Sequence, residues 1–181
     1  MRKVSHLLCS VLLVSAVFSC KDAEVDPEEN ELITTVKLEF TNGATVSTFS
    51  WKDADGDGGS APVVDKIILK PNTEYSVKVS FLDESKSPAE DITAEVREES
   101  HEHLVVFTPS PSSLMAYTYL DKDANNFPIG LSGKVNTGAA GTGKLKVQLR
   151  HQPPVNGANV KNGTAAPGSD DANVDFDVEL K

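Results

Sequence analysis

The densest set of oxygen donors in this sequence is Asp53-Ala54-Asp55-Gly56-Asp57-Gly58. Carboxylates at positions one, three and five with glycine at six match the first half of an EF-hand loop, where the glycine permits the sharp turn around Ca²⁺. The second half does not follow: position twelve is Val64, and Asp65 comes one residue late. What remains resembles the short calcium loops that sit between β elements and complete their shell from elsewhere. A second acidic stretch, Asp121-Lys122-Asp123-Ala124-Asn125-Asn126, begins 68 positions later and lacks the sixth-position glycine. The expectation is Ca²⁺ at Asp53, Asp55 and Asp57, with Asp121, Asp123 and Asn125 as a poorer second set. The competing reading is a pair of soluble turns, because Asp, Asn and Gly are what tight turns require.

Imidazoles offer a different chemistry. His101, His103 and His151 are the only histidines after the first nineteen residues. If 101–103 is extended, His101 and His103 point the same way, as a ligand pair would. His151 ends a strand of the same half of the chain, and Glu99 or Glu102 can add an oxygen. Imidazole with carboxylate suits Zn²⁺, copper or iron. The competing reading is a set of solvated histidines at the end of an acidic helix.

Aromatic rings give the third candidate. Trp51 abuts the first acidic loop, and a glycan-binding module would use such a ring as a stacking platform. Tyr117 and Tyr119 alternate as on a sheet face, which favours core packing for those two. Catalytic patterns are missing: there is no Gly-x-Ser-x-Gly elbow and no phosphate-cradling glycine loop before a helix, and no cysteine lies beyond Cys20. A binding protein is expected rather than an enzyme.

These residues must be positioned by strands. Leu32–Phe40 is β-branched and runs into Asn42-Gly43, a hairpin signal, with 44–51 returning. Further strands are expected over 63–69, 74–82, 104–108, 113–120, 129–136, 144–150 and 174–180. Val77, Val79 and Phe81 find counterparts 68 positions on at Leu145, Val147 and Leu149, so the chain reads as two related β units. One helix is expected over 88–100, capped by Ser87 with Pro88 and Glu90 behind it and a thin apolar stripe of Ile92 and Val96. Residues 152–171, rich in glycine and proline, read as a long loop. Nine strands imply an all-β, two-sheet antiparallel sandwich, Ig-like, with one short helix.

The N-terminus carries an address. Arg2 and Lys3 precede an apolar run from Leu7 to Phe18, too short to cross a bilayer, and Cys20 follows Ser19. This resembles a bacterial lipoprotein signal over 1–19 with Cys20 as the acylated residue, which makes the membrane a partner through the N-terminal lipid; the competing reading is an ordinary secretory signal with an incidental Cys20. Residues 20–31 form an acidic flexible tether, and 32–181 the folded domain. Cys9 leaves with the signal, so the exported body has neither thiol nor disulfide. The full chain has formal net charge −10, and losing Arg2 and Lys3 makes the mature chain more acidic still. That disfavours nucleic acid as a partner.

Several segments together carry a resemblance: Glu31–Leu38, Trp51–Gly59, the Glu-rich helix ending at His103, Asp121-Lys122-Asp123 with Pro128-Ile129-Gly130, and Leu149-Arg150-His151-Gln152-Pro153. They are similar to an uncharacterised family of small Bacteroidota lipoproteins associated with TonB-dependent outer-membrane receptors. Lys21-Asp22 and the acids after them resemble the tag that sends such lipoproteins to the cell surface, the alternative being the periplasmic face of the outer membrane. The resemblance implies an accessory role in metal or nutrient uptake. It also implies His103 and His151 as the recurring pair, with His101 particular to this chain. The rival readings are a structural or adhesive surface module with calcium-stiffened loops, and a glycan-binding module using Trp51.

Overall fold

A computed structural model describes residues 32–56 and 59–181. The expected signal segment, Cys20 and the expected tether therefore lie outside the described residues, as do Asp57 and Gly58.

Two sheets face each other across one apolar core. The first has seven strands. β1 (Thr35–Asn42) and β2 (Thr45–Lys52) form a hairpin, followed by β3 (Val63–Val64), β5 (Glu74–Asp83), β6 (Glu90–Asp91), β8 (Met115–Tyr119) and β9 (Ser132–Thr137). Their order is β3-β2-β1-β5-β9-β8, with β6 alongside β5. The second sheet has order β4-β11-β10-β7, with β4 at Ile67–Leu69, β7 at His103–Ser110, β10 at Gly141–His151 and β11 at Ser169–Leu180. Strict alternation makes each inner face. Val36, Leu38 and Phe40 of β1 and Tyr75, Val77, Val79 and Phe81 of β5 are buried on one side. Leu145, Val147 and Leu149 of β10 meet them from the other, with Val174, Phe176, Val178 and Leu180 of β11.

The expected all-β two-sheet sandwich with one short helix is what forms, with several local differences. Residues 63–69 are not one strand. Val63–Val64 pair with β2, while Ile67–Leu69 cross to the other sheet and run parallel to β11, so the pairing is not wholly antiparallel. The hairpin turn is Gly43-Ala44 rather than Asn42-Gly43, with Gly43 at φ 58 in the first turn position, where only glycine is unstrained.

The helix, α1, is Ile92–Glu98, capped by Asp91, whose side chain accepts from the Thr93 amide. It starts later than Ser87 predicts because Glu90 and Asp91 pair with Asp83 and Leu82. Finally, the two halves are not separate units. β5 belongs to the first sheet and β10 to the second, so the 68-residue offset reports shared alternation, not a structural repeat.

Candidate metal centre

β7 and β10 are antiparallel, and His103 and His151 are direct cross-strand partners. His103 shares its face with Val105, and His151 shares its face with Leu149, both core positions. The histidines therefore close the end of the sandwich core, with rings stacked at a centroid distance of 4.9 Å and 9° between planes. His103 is the first residue of β7 and His151 the last of β10.

Asp171 completes the group. In the β10–β11 ladder Leu149 is opposite Ala172 and Arg150 opposite Asp170, which leaves Asp171 as the extra residue of a β-bulge. A bulge re-aims the side chain it carries, and here the Asp171 carboxylate is turned under cover, its side chain only 2% exposed. Oδ2 lies 3.5 Å from His103 Nε2, and Oδ1 lies 3.7 Å from His151 Nδ1. Oδ1 is buried and accepts no hydrogen bond among the described residues. One ligand atom from each of the three residues falls within 4.8 Å of the others. Tetrahedral bonds of about 2.0–2.1 Å to Zn²⁺ place ligand atoms roughly 3.4 Å apart, close to the 3.5 and 3.7 Å that separate the Asp171 oxygens from the two rings.

The remaining ring nitrogens are already engaged. His103 Nδ1 is 3.2 Å from the Glu99 carbonyl, which can only accept, so Nδ1 donates to it and Nε2 is the nitrogen directed toward Asp171. His151 Nε2 lies 3.7 Å from Glu102 Oε2, while Glu102 Oε1 meets His101 Nε2 at 2.9 Å. Histidine ligands characteristically hold their second nitrogen against a carbonyl or carboxylate in this way. The ring planes are nearly parallel, so sharing one ion requires a ring to turn; His151, 15% exposed, is less confined than His103 at 2%. Removing the acid behind His151, as in Glu102→Gln, should weaken zinc binding by about 10- to 100-fold. Isothermal titration checks this, with unchanged affinity as the contrary result.

The loop between β10 and β11 covers this end of the molecule. Gln152 is buried, donates its backbone amide to the Glu102 carbonyl at 2.6 Å and donates Nε2 to the carbonyls of Thr164 and Pro167. Lys161 Nζ reaches the Ser100 carbonyl at 2.7 Å and Asp123 Oδ2 at 2.9 Å.

The other expected ligands stand elsewhere. His101 is on a turn and half-exposed, not extended beside His103, and it meets the group only through Glu102. Glu99 contributes its carbonyl, and its side chain is exposed. The second acidic loop does not form an open oxygen cradle. Asp121 accepts the amides of Gly130 and Ser132, and Asp123 Oδ1 accepts those of Asn125 and Phe127. Asn125 itself faces solvent. These acids tie down a turn, and a lysine takes the place of an ion.

In the first loop Asp55 accepts the Ser60 amide at 3.2 Å, and hydrogen bonds with Ser60 and Asp53 hold its carboxyl below the usual range. Asp53 donates its amide to the Thr34 carbonyl; Asp57 is outside the described residues. Trp51 is half-buried and packs on the core, so its ring is not a free stacking platform. Tyr117 stacks on Phe107 at 3.9 Å, and burial pushes its hydroxyl far above the ordinary tyrosine value, with the Asp121 charge adding to this.

Sequence reasoning placed His103 and His151 together and missed Asp171, which lies in the polar stretch read as loop. No protein-family model, no curated protein and no solved structure matches this chain.

Proposed function

We propose that this chain is a lipid-anchored protein of the outer membrane that binds one transition-metal ion at His103, His151 and Asp171. In this reading it serves as an uptake accessory, passing the ion to a TonB-dependent receptor or gating that receptor. The observation that supports the metal reading is the convergence of three ligand atoms within 4.8 Å, with a buried carboxylate oxygen that accepts no hydrogen bond among the described residues. A buried carboxylate oxygen that accepts no hydrogen bond is costly, and a divalent cation would offset that cost while leaving a fourth position open for transfer. The envelope address and the receptor rest on the N-terminal sequence and the family resemblance.

The rival surface-module reading draws its support from Asp53 and Asp55, which approach each other in the first acidic loop. Titration of the purified full-length protein with zinc, copper, iron(II) and calcium separates the two. One site of micromolar or tighter affinity for a transition metal is the expected result. Calcium binding alone, or no binding, would overturn the proposal.

A further inference from the structure

The first sheet splits along β5. Residues Glu74–Lys78 pair with β9, whereas Leu82 and Asp83 pair with β6. Between these stretches the neighbour changes: the Val79 amide donates to the Leu131 carbonyl, and the Thr93 hydroxyl of α1 serves both the amide and the carbonyl of Phe81. A pocket of about 270 Å³ opens at this split, lined by Lys78, Arg97, Asp121, Ile129, Leu131 and Ser132. None of these residues belongs to the metal group.

Its walls are fixed before any ligand arrives. Asp121 holds the amides of Gly130 and Ser132 at 2.8 and 2.9 Å, and Ile129 and Leu131 are anchored in the core. Gly130 has φ 93, and a Cβ there would come within 2.7 Å of the Val105 carbonyl oxygen, so the bend between the two apolar residues depends on glycine.

The charges are unusual for so acidic a chain, which holds 27 acids against 17 bases. Lys78 and Arg97 come from different elements onto one concavity, yet neither forms an ion pair among the described residues. Glu39 is opposite Lys78 across β1 but outside ion-pair distance. Two cations over an apolar floor suit a carboxylate, with Arg97 presenting its planar fork and Lys78 a point charge. Each Asp121 oxygen takes one amide and keeps capacity for a second donor, and Ser132 adds a polar group beside it. Those partners suit hydroxyl groups on the same ligand.

We infer that this pocket binds a small organic carboxylate bearing hydroxyl groups, of sugar-acid size. The test is a titration of the ¹⁵N-labelled full-length protein with D-galacturonate, neutral D-galactose and inorganic phosphate, following the amides of Gly130, Leu131 and Ser132. Saturable shifts with galacturonate, absent with galactose and at least tenfold weaker in Arg97→Ala and in Lys78→Ala, are expected. Both side chains are exposed, so the variants should retain the wild-type spectrum elsewhere. Absence of shifts, equal affinity in the variants, or phosphate binding as tight as galacturonate would overturn the inference.

Discussion

Replacing Lys161 with alanine is expected to lower folding stability by about 3–5 kcal/mol. Its side chain is 1% exposed and its partner Asp123 is fully covered, so the substitution leaves a buried carboxylate without its cation. It also removes the hydrogen bond that holds the covering loop to Ser100. The pH dependence follows from the Asp123 carboxyl. Burial pushes it up, but Lys161 and the amides of Phe127 and Asn125 outweigh burial and leave it below the usual range.

A carboxyl lowered on folding gives stability that is present above its unfolded value, about pH 4, and lost as pH falls through its folded value. Without Lys161 burial acts with less opposition, so the variant's deficit should be largest near neutrality and narrow below about pH 4. Urea unfolding across that range measures the difference. A double Asp123→Asn, Lys161→Met variant should recover part of the loss, because neither partner is left charged. A deficit under about 1 kcal/mol, or one independent of pH, would contradict the account.

The second large effect is on the metal. His103→Ala should reduce zinc affinity by roughly 100-fold or more, since loss of a ligand should exceed the 10- to 100-fold typical of losing an outer partner. Asp171→Asn should also weaken binding strongly, by removing the charge between the two imidazoles. His101→Ala should change little, because His101 meets the group only through Glu102. Binding should weaken in acid for the wild type, where protons compete for the imidazole lone pairs. Competition against a chromophoric chelator ranks the three variants. Equal losses in His101→Ala and His103→Ala would contradict the assignment.

The legible part of this fold is the part governed by alternation. Val174–Leu180, Leu145–Leu149 and Tyr75–Phe81 each announce a half-buried strand, and the two-sheet architecture follows from their number. Where pairing rather than side-chain pattern decides, the sequence is silent. Ser169, Asp170 and Asp171 look like loop, yet they form strand because β10 extends far enough to pair with them. The bulge that aims Asp171 depends on the registers on either side of it, and no local motif marks such a slip. The helix fails similarly: Ser87-Pro88 is a sound start signal, but the β5 edge draws Glu90 and Asp91 into a ladder first.

The acidic loops teach the converse. Asp121 and Asp123 have the spacing of ion ligands, and what separates a turn from a cradle is Lys161, remote in sequence and delivered by the covering loop. His103 and His151 could be matched from strand ends alone, because each sits one position outside an expected strand, 104–108 and 144–150. Their stacking and their common carboxylate come from the register of three strands.

The most direct test of the central claim is an anomalous difference map at the zinc absorption edge, from crystals of the protein loaded with one equivalent of zinc. The account predicts one dominant peak at about 2.0–2.2 Å from a nitrogen of His103, a nitrogen of His151 and an oxygen of Asp171. A dominant peak at the loop of Asp53 and Asp55, or no ordered peak in a protein that binds zinc in solution, would contradict it.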